Sequence, residues 1–229
     1  MDRVLVIAAH PDDEVLGCGG VIARHAAAGD EVHIFILGEG ATSRHQIRNI
    51  GGHTRETGTL QSAACSAAAI LGAQRPQFAG LPDNRMDSVP LLDVVKRVEA
   101  VVAEWSPTIV YIHHGGDLNV DHRIAHQASI TACRPVPDAA VKAIYAFEIV
   151  SSTEWSSAAL GEGFRPQRFV DISHILDRKL EALECYASEM RRFPHARSIE
   201  GIATLAKLRG ASAGLQVAEA FMVVREVVR

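Results

Sequence analysis

No stretch of the 229-residue chain approaches the ~18 uninterrupted apolar residues that a membrane-crossing helix needs, so no integral membrane segment is expected. Long basic runs are missing as well. The formal net charge is -4, and the cations around Arg44, Arg48 and Arg55, or Lys179, Arg191 and Arg192, are dispersed as on solvated faces. No nucleic acid partner is therefore expected on electrostatic grounds. Cysteine is scarce: Cys18, Cys65, Cys133 and Cys185 lie far apart, with no pair at zinc-finger or redox spacing, and read as buried free thiols without chemistry. Internal repeats and low-complexity tracts are also absent. Met1-Asp2-Arg3 runs straight into a strand pattern with no small-residue cleavage site, from which a cytoplasmic protein is expected.

What the chain does contain is an alternation of two periods. Val4 to Ala8 reads as a strand, Val15 to Ala28 as a helix closed by Gly29, Glu31 to Leu37 as a strand and Arg55 to Leu71 as a helix. Leu91 to Glu104 carries helical spacing at Leu92, Val95, Val98 and Val102, and Pro107 separates it from the β-branched run Thr108 to Ile112. A helix beginning near Ile124, a strand over Val141 to Ile149 and a helix over Asp177 to Met190 follow, and residues 191–229 hold short pieces that the pattern does not order. Such alternation predicts one α/β domain, residues 1–229, a Rossmann-like three-layer sandwich with a mostly parallel sheet. The polar stretch from Gly38 to Thr54 predicts a long loop over the carboxyl end of that sheet.

Two polar clusters follow apolar strands, in the turns where α/β proteins place their ligand sites. The first is His10-Pro11-Asp12-Asp13-Glu14, after Val4 to Ala9. The second runs from His113 to His122 and ends in Asn119-Val120-Asp121-His122. Four ionisable groups beside a buried strand are costly to desolvate unless a cation or a hydrogen-bond network compensates them. A hydrolytic zinc site needs three nitrogen or oxygen ligands and a vacant position for water, and His10, Asp13 and His122 supply that set. Asp12, beside a ligand but pointing elsewhere, suits a general base that later returns its proton to a leaving amine. Asp121 suits a group that orients an imidazole. Glu14 is equally explained by the dipole of a helix start.

These residues, Ala9-His10-Pro11-Asp12-Asp13-Glu14 with Asp121-His122 downstream of a strand, resemble the PIG-L (LmbE-like) family of metal-dependent de-N-acetylases, over about the first 150 residues. The resemblance implies removal of an acetyl group from an N-acetylated amino sugar or its conjugate. It implies zinc on His10, Asp13 and His122, a water activated by Asp12, and a small-molecule sugar partner, often in a homo-oligomer. Zinc is preferred, although a His-Asp-His set accepts several divalent ions. Arg55 resembles an arginine that contacts substrate, and Asp83 sits where an acidic residue holds sugar hydroxyls; surface and turn roles explain each equally well. The chain departs from the family where many relatives carry a histidine three residues before the last ligand and this one has Asn119. The oxyanion donor is thus left open between Asn119 and His113 or His114, with His114 the better of the two histidines.

Other features carry less. Gly17-Cys18-Gly19-Gly20 lacks the spacing of a dinucleotide fingerprint and reads as close helix packing. Asp117 reads equally as a loop pin, while His45, His53, His126, His174 and His195 read as surface or packing residues. Ser152 to Trp155 is the better candidate for a sugar-contacting rim, with Phe147 assigned to the core. Hydrolysis of another amide, such as a thiol-conjugate amide, and metal or glycan binding without turnover are the competing functions.

Overall fold

The computed structural model describes residues 1–44 and 54–228; Arg48, His45 and His53 lie outside them. Seven strands form one sheet in the order β3-β2-β1-β4-β5-β7-β6. They are β1 (Arg3–Ala8), β2 (Glu31–Gly38), β3 (Gln77–Leu81), β4 (Ile109–His113), β5 (Ala143–Phe147), β6 (Arg168–Asp171) and β7 (Ala218–Glu226). The pairs β1/β2, β2/β3, β1/β4 and β4/β5 are parallel, and β7 runs antiparallel to both its neighbours.

Helices α1 (Asp13–Ala27), α2 (Thr54–Leu71), α3 (Leu91–Trp105), α4 (Val120–Ala132), α5 (Leu176–Glu184) and α6 (Ile199–Ala211) cover both faces. The strand period decides which residue meets which layer. Val4, Val6 and Ala8 of β1 pack with Val21 and Ile22 of α1 and Leu60 of α2, whereas Leu5, Ile7 and Ala9 pack with Val94 and Val98 of α3 and Ala125 of α4. The alternating layers are the predicted three-layer sandwich. The buried stripe of α3 is Val94, Val95, Val98 and Val101, so Leu92, expected inside, is 63% exposed.

Strand order reverses between β1 and β4: the chain leaves β1 for β2 and β3 on one side, then returns through β4 to β5 on the other. The two polar clusters follow these two strands, so the crevice at this switch point brings them together. Glycines in α1 let the layers close. A Cβ on Gly17 would lie 2.3 Å from Phe147 Cδ2, and one on Gly20 would lie 2.7 Å from Ile172 Cγ2. Beside them the buried Lys179 donates to the Leu16 carbonyl at 2.8 Å and to Glu219 Oε1 at 2.6 Å. Glu219 in turn accepts the N–H groups of Gly20 and Val21. All four cysteines are free, and among the described residues no helix is long and apolar enough to cross a membrane.

Candidate active site

Both clusters become helix starts. After β1 the chain turns at Pro11 and Asp12, and α1 begins at Asp13, two residues earlier than its apolar period suggests. Asp12 has φ +112°, a sign of φ that Asp and Asn tolerate better than bulkier side chains. The turn is held from within: His10 N–H donates to Asp13 Oδ2 at 2.8 Å and Asp12 N–H to Glu14 Oε2 at 3.0 Å. After β4, Asn119 caps α4 by accepting the Asp121 N–H at 2.8 Å. That cap moves the helix start ahead of Ile124 and puts Asp121 and His122 in the first turn.

Asp13 Oδ2 lies 3.3 Å from His10 Nδ1 and 3.3 Å from His122 Nε2. One ligand atom from each of the three residues falls within 4.8 Å of the others. Asp13 Oδ1 is buried without a hydrogen-bond partner, as expected of an oxygen that has an ion to meet. The outward nitrogens are oriented from behind. His10 Nε2 pairs with Asp121 Oδ2 at 3.0 Å, while His122 Nδ1 lies 3.1 Å from Asp117 Oδ1 as a close ionic contact without the geometry of a hydrogen bond. For His10 a carboxylate behind the ring favours the proton on Nε2 and leaves Nδ1 turned toward Asp13. Asp121 is itself fixed by the N–H groups of Asn84 at 2.6 Å and Met86 at 3.0 Å. Asp117 is fixed by the Thr153 hydroxyl at 2.5 Å, the Asn119 N–H at 2.8 Å and the Ser152 hydroxyl. The residues thus fit a small divalent ion with nitrogen and oxygen ligands.

Electrostatics separates the adjacent carboxylates. Burial opposes charge on Asp13, but His122 and His10 outweigh it and hold the carboxyl well below the usual range. Burial raises Asp12 to about 7, with the Arg197 guanidinium opposing and Asp13 adding to the rise.

The cleft above these groups, of about 210 Å³, is lined by His10, Asp12, Asp13, His122, Asp83, Asn84, Asn119, Ser152 and Arg197 among others. Asp83 accepts the Ser43 N–H at 2.9 Å and the Asn84 amide at 3.1 Å. Arg55, His114 and His113 are not part of the cleft wall. Arg55 is exposed on the first turn of α2. His114 turns its Nε2 to the Glu162 carbonyl at 2.9 Å. His113 is fully buried, accepts the Ala9 N–H on Nε2 at 2.8 Å and stacks on His122 with ring centroids 4.1 Å apart. Neither histidine faces the cleft. Asn119 does, but its amide Nδ2 donates to Asn84 Oδ1 at 2.8 Å. In the proposed rim Ser152 lines the cleft and Trp155, 54% exposed, does not.

Arg197 carries no mark of its role in the sequence, yet its Nη1 donates to Asp12 Oδ2 at 2.8 Å across 185 positions. Nor does the sequence mark Tyr186, whose hydroxyl meets Glu14 Oε1, or Asp117 as the carboxylate 3.1 Å behind His122. For Asp117 a general signal exists, since a buried histidine ligand needs an acceptor behind it. For Arg197 no local pattern does.

Residues 5–133 match the sequence model of PIG-L, GlcNAc-PI de-N-acetylase. The chain belongs to the PIG-L family. Within it, the chain is 29% identical over 191 residues to the uncharacterized deacetylase YaiS of Escherichia coli K12, spanning 81% of this chain and 90% of that one. It is 28% identical over 240 residues to 1D-myo-inositol 2-acetamido-2-deoxy-alpha-D-glucopyranoside deacetylase 1 of Saccharopolyspora erythraea, spanning 82% and 78%. Among solved structures, GalB, the 4-carboxy-2-hydroxymuconate hydratase of Pseudomonas putida KT2440, superposes with a TM-score of 0.79 at 25% identity, over 100% of this chain and 98% of that one. The PIG-L match ends at α4, so it contains the three grouped metal-ligand candidates and leaves out Arg197.

Proposed function

We propose that this chain is a zinc-dependent deacetylase that removes the acetyl group from an N-acetylated amino sugar or its conjugate in the cytoplasm. The observation that carries the proposal is the pairing of Asp12 with the His10-Asp13-His122 group. A carboxyl whose proton affinity lies near neutrality sits on the cleft wall next to three side chains whose ligand atoms lie within 4.8 Å of one another. His10 Nδ1, His122 Nε2 and the Asp13 carboxylate would hold the ion. When bound, such an ion acidifies water and polarises a carbonyl oxygen. Asp12 takes the proton from the attacking water and returns it to the departing nitrogen, work for which an affinity near 7 is suited in both directions. Asp121 and Asp117 keep the imidazoles in register. Asp83, Asn84 and Asn119 form the polar wall against which the sugar hydroxyls rest.

The test is acetate release from a panel of N-acetylated sugars and nucleotide sugars by protein stripped with chelator and then reloaded with zinc. Expected are release that returns with zinc, a loss on the order of 100-fold or more in kcat for Asp12→Asn with zinc still bound, and loss of zinc itself in Asp13→Ala. A second reading is favoured by the full-length likeness to GalB. Water would then be added to the double bond of a carboxylated enol, with the same ligands and Asp12 moving the proton. Turnover of 4-carboxy-2-hydroxymuconate by zinc-loaded protein that leaves every acetamide intact would replace the first reading by the second.

A further inference from the structure

The Asp12 carboxylate is 2% exposed and its backbone has a positive φ, so its direction depends on what grips its oxygens. Among the described residues one side chain donates to it, Arg197, through Nη1 at 2.8 Å to Oδ2. The arginine is in turn gripped along its length. Nε donates to Ser151 Oγ at 3.2 Å, the backbone N–H donates to His195 Nδ1 at 3.0 Å, and the carbonyl accepts the Arg191 N–H at 2.9 Å. With Oδ2 taken, Oδ1 is the oxygen left for proton exchange. The same guanidinium is the half-buried cation of a wall that also carries Asp13 and Glu189, both of which act on Asp12 as like charges.

We propose that Arg197 is a positioning residue for Asp12: it fixes the carboxylate through Oδ2, keeps Oδ1 directed into the cleft, and holds the acid in place against the repulsion of Asp13 and Glu189. This rests on the reading of Asp12 as the proton carrier. It adds to the site a residue from the segment between α5 and α6, outside the stretch that matches the family. A planar fork bridging Ser151 and Asp12 is work for arginine and not for lysine, which offers one point charge.

The experiment compares wild type, Arg197→Met, Arg197→Lys and the double variant Arg197→Met/Asp12→Asn. Zinc content, kcat, KM and the thermal midpoint are read for each. In Arg197→Met, kcat falls on the order of 100-fold while KM and zinc stoichiometry stay at the wild-type value. Millimolar guanidinium added to Arg197→Met restores part of kcat, and Arg197→Lys recovers less than that rescue does. The thermal midpoint of Arg197→Met drops, and adding Asp12→Asn brings it back, because the cost is a buried carboxyl left without its partner. Full activity in Arg197→Met, or loss of zinc together with a drop that Asp12→Asn does not repair, overturns the proposal. The thermal cycle needs no turnover. A wild type silent on every acetamide therefore counts against the deacetylase reading, and the midpoints still decide whether Arg197 and Asp12 act as a pair. A single variant that fails to fold is read the same way: its refolding on addition of Asp12→Asn supports the pair, and continued failure assigns Arg197 to structure alone.

Discussion

Glu14 shows how far one side chain can depart from its sequence reading. An acid in the first turn of a helix is ordinarily explained by the dipole. Here it is buried, meets the Tyr186 hydroxyl through Oε1 and accepts the Asp12 N–H on Oε2. Burial, with the nearby Asp12 charge, pushes its carboxyl up to about 8. The folded state therefore keeps a proton that the unfolded chain gives up near its ordinary value of 4.5. Stability from this group is complete below that value and is lost as pH rises toward 8, by at most about 1.4 kcal/mol per pH unit. Glu14→Gln, neutral at every pH, is expected to flatten the fall of the thermal midpoint between pH 5.5 and 8.5 in metal-free protein. Calorimetry across that range checks it, and parallel curves for the two proteins would contradict it.

At the level of elements, legibility followed how much of the stabilising interaction is local. Strands β1, β2, β4 and β5 are apolar runs bounded by polar turns, and α1 to α3 carry a sustained helical period, so all were readable. Strand β3, over Gln77–Leu81, has two glycine or alanine positions and an edge place in the sheet, which leaves little pattern to find. The helix expected to run to Met190 ends as α5 at Glu184, with Tyr186 turned inward to Glu14. Strands β6 and β7 are set by pairing with each other and with β5, information that lies outside either segment. The site divides along the same line. His10, Asp12, Asp13 and His122 stand in two contiguous turns and were legible, whereas Arg197 reaches Asp12 through the tertiary fold. The glycines of α1 were rightly read as packing. Gly17→Ala would drive a methyl into the fully buried Phe147 ring. A loss of about 1–3 kcal/mol is expected, measurable as a lower denaturant midpoint at unchanged slope.

At the scale of the whole molecule, an ion at the candidate site would be coupled to the fold. The three grouped ligand candidates stand in the turn before α1 and in the first turns of α1 and α4, helices on opposite faces of the sheet, so an ion held there would tie the two layers together. Zinc at about 100 times its dissociation constant stabilises the fold by about 2.7 kcal/mol. For a chain of this size that corresponds to a rise of roughly 5–10 °C in thermal midpoint. Asp13→Ala should abolish the rise, and chelator should reverse it in wild type. An unchanged midpoint on zinc addition would contradict the assignment of the ligands.

Strand β7, the last element in chain order, lies between β5 and β6 and not at an edge. Residues 1–217 are therefore synthesised before the sheet has its sixth position filled, and until residues 218–226 emerge, β5 and β6 each present an open flank. Synthesis order and assembly order must differ: the early strands can zip as they appear, but closure waits for β7, which follows the other six strands in the chain. A chain stopped just short of β7 would have its metal ligands in the sequence and an unfinished sheet beneath them, which makes such fragments natural clients of chaperones and proteases.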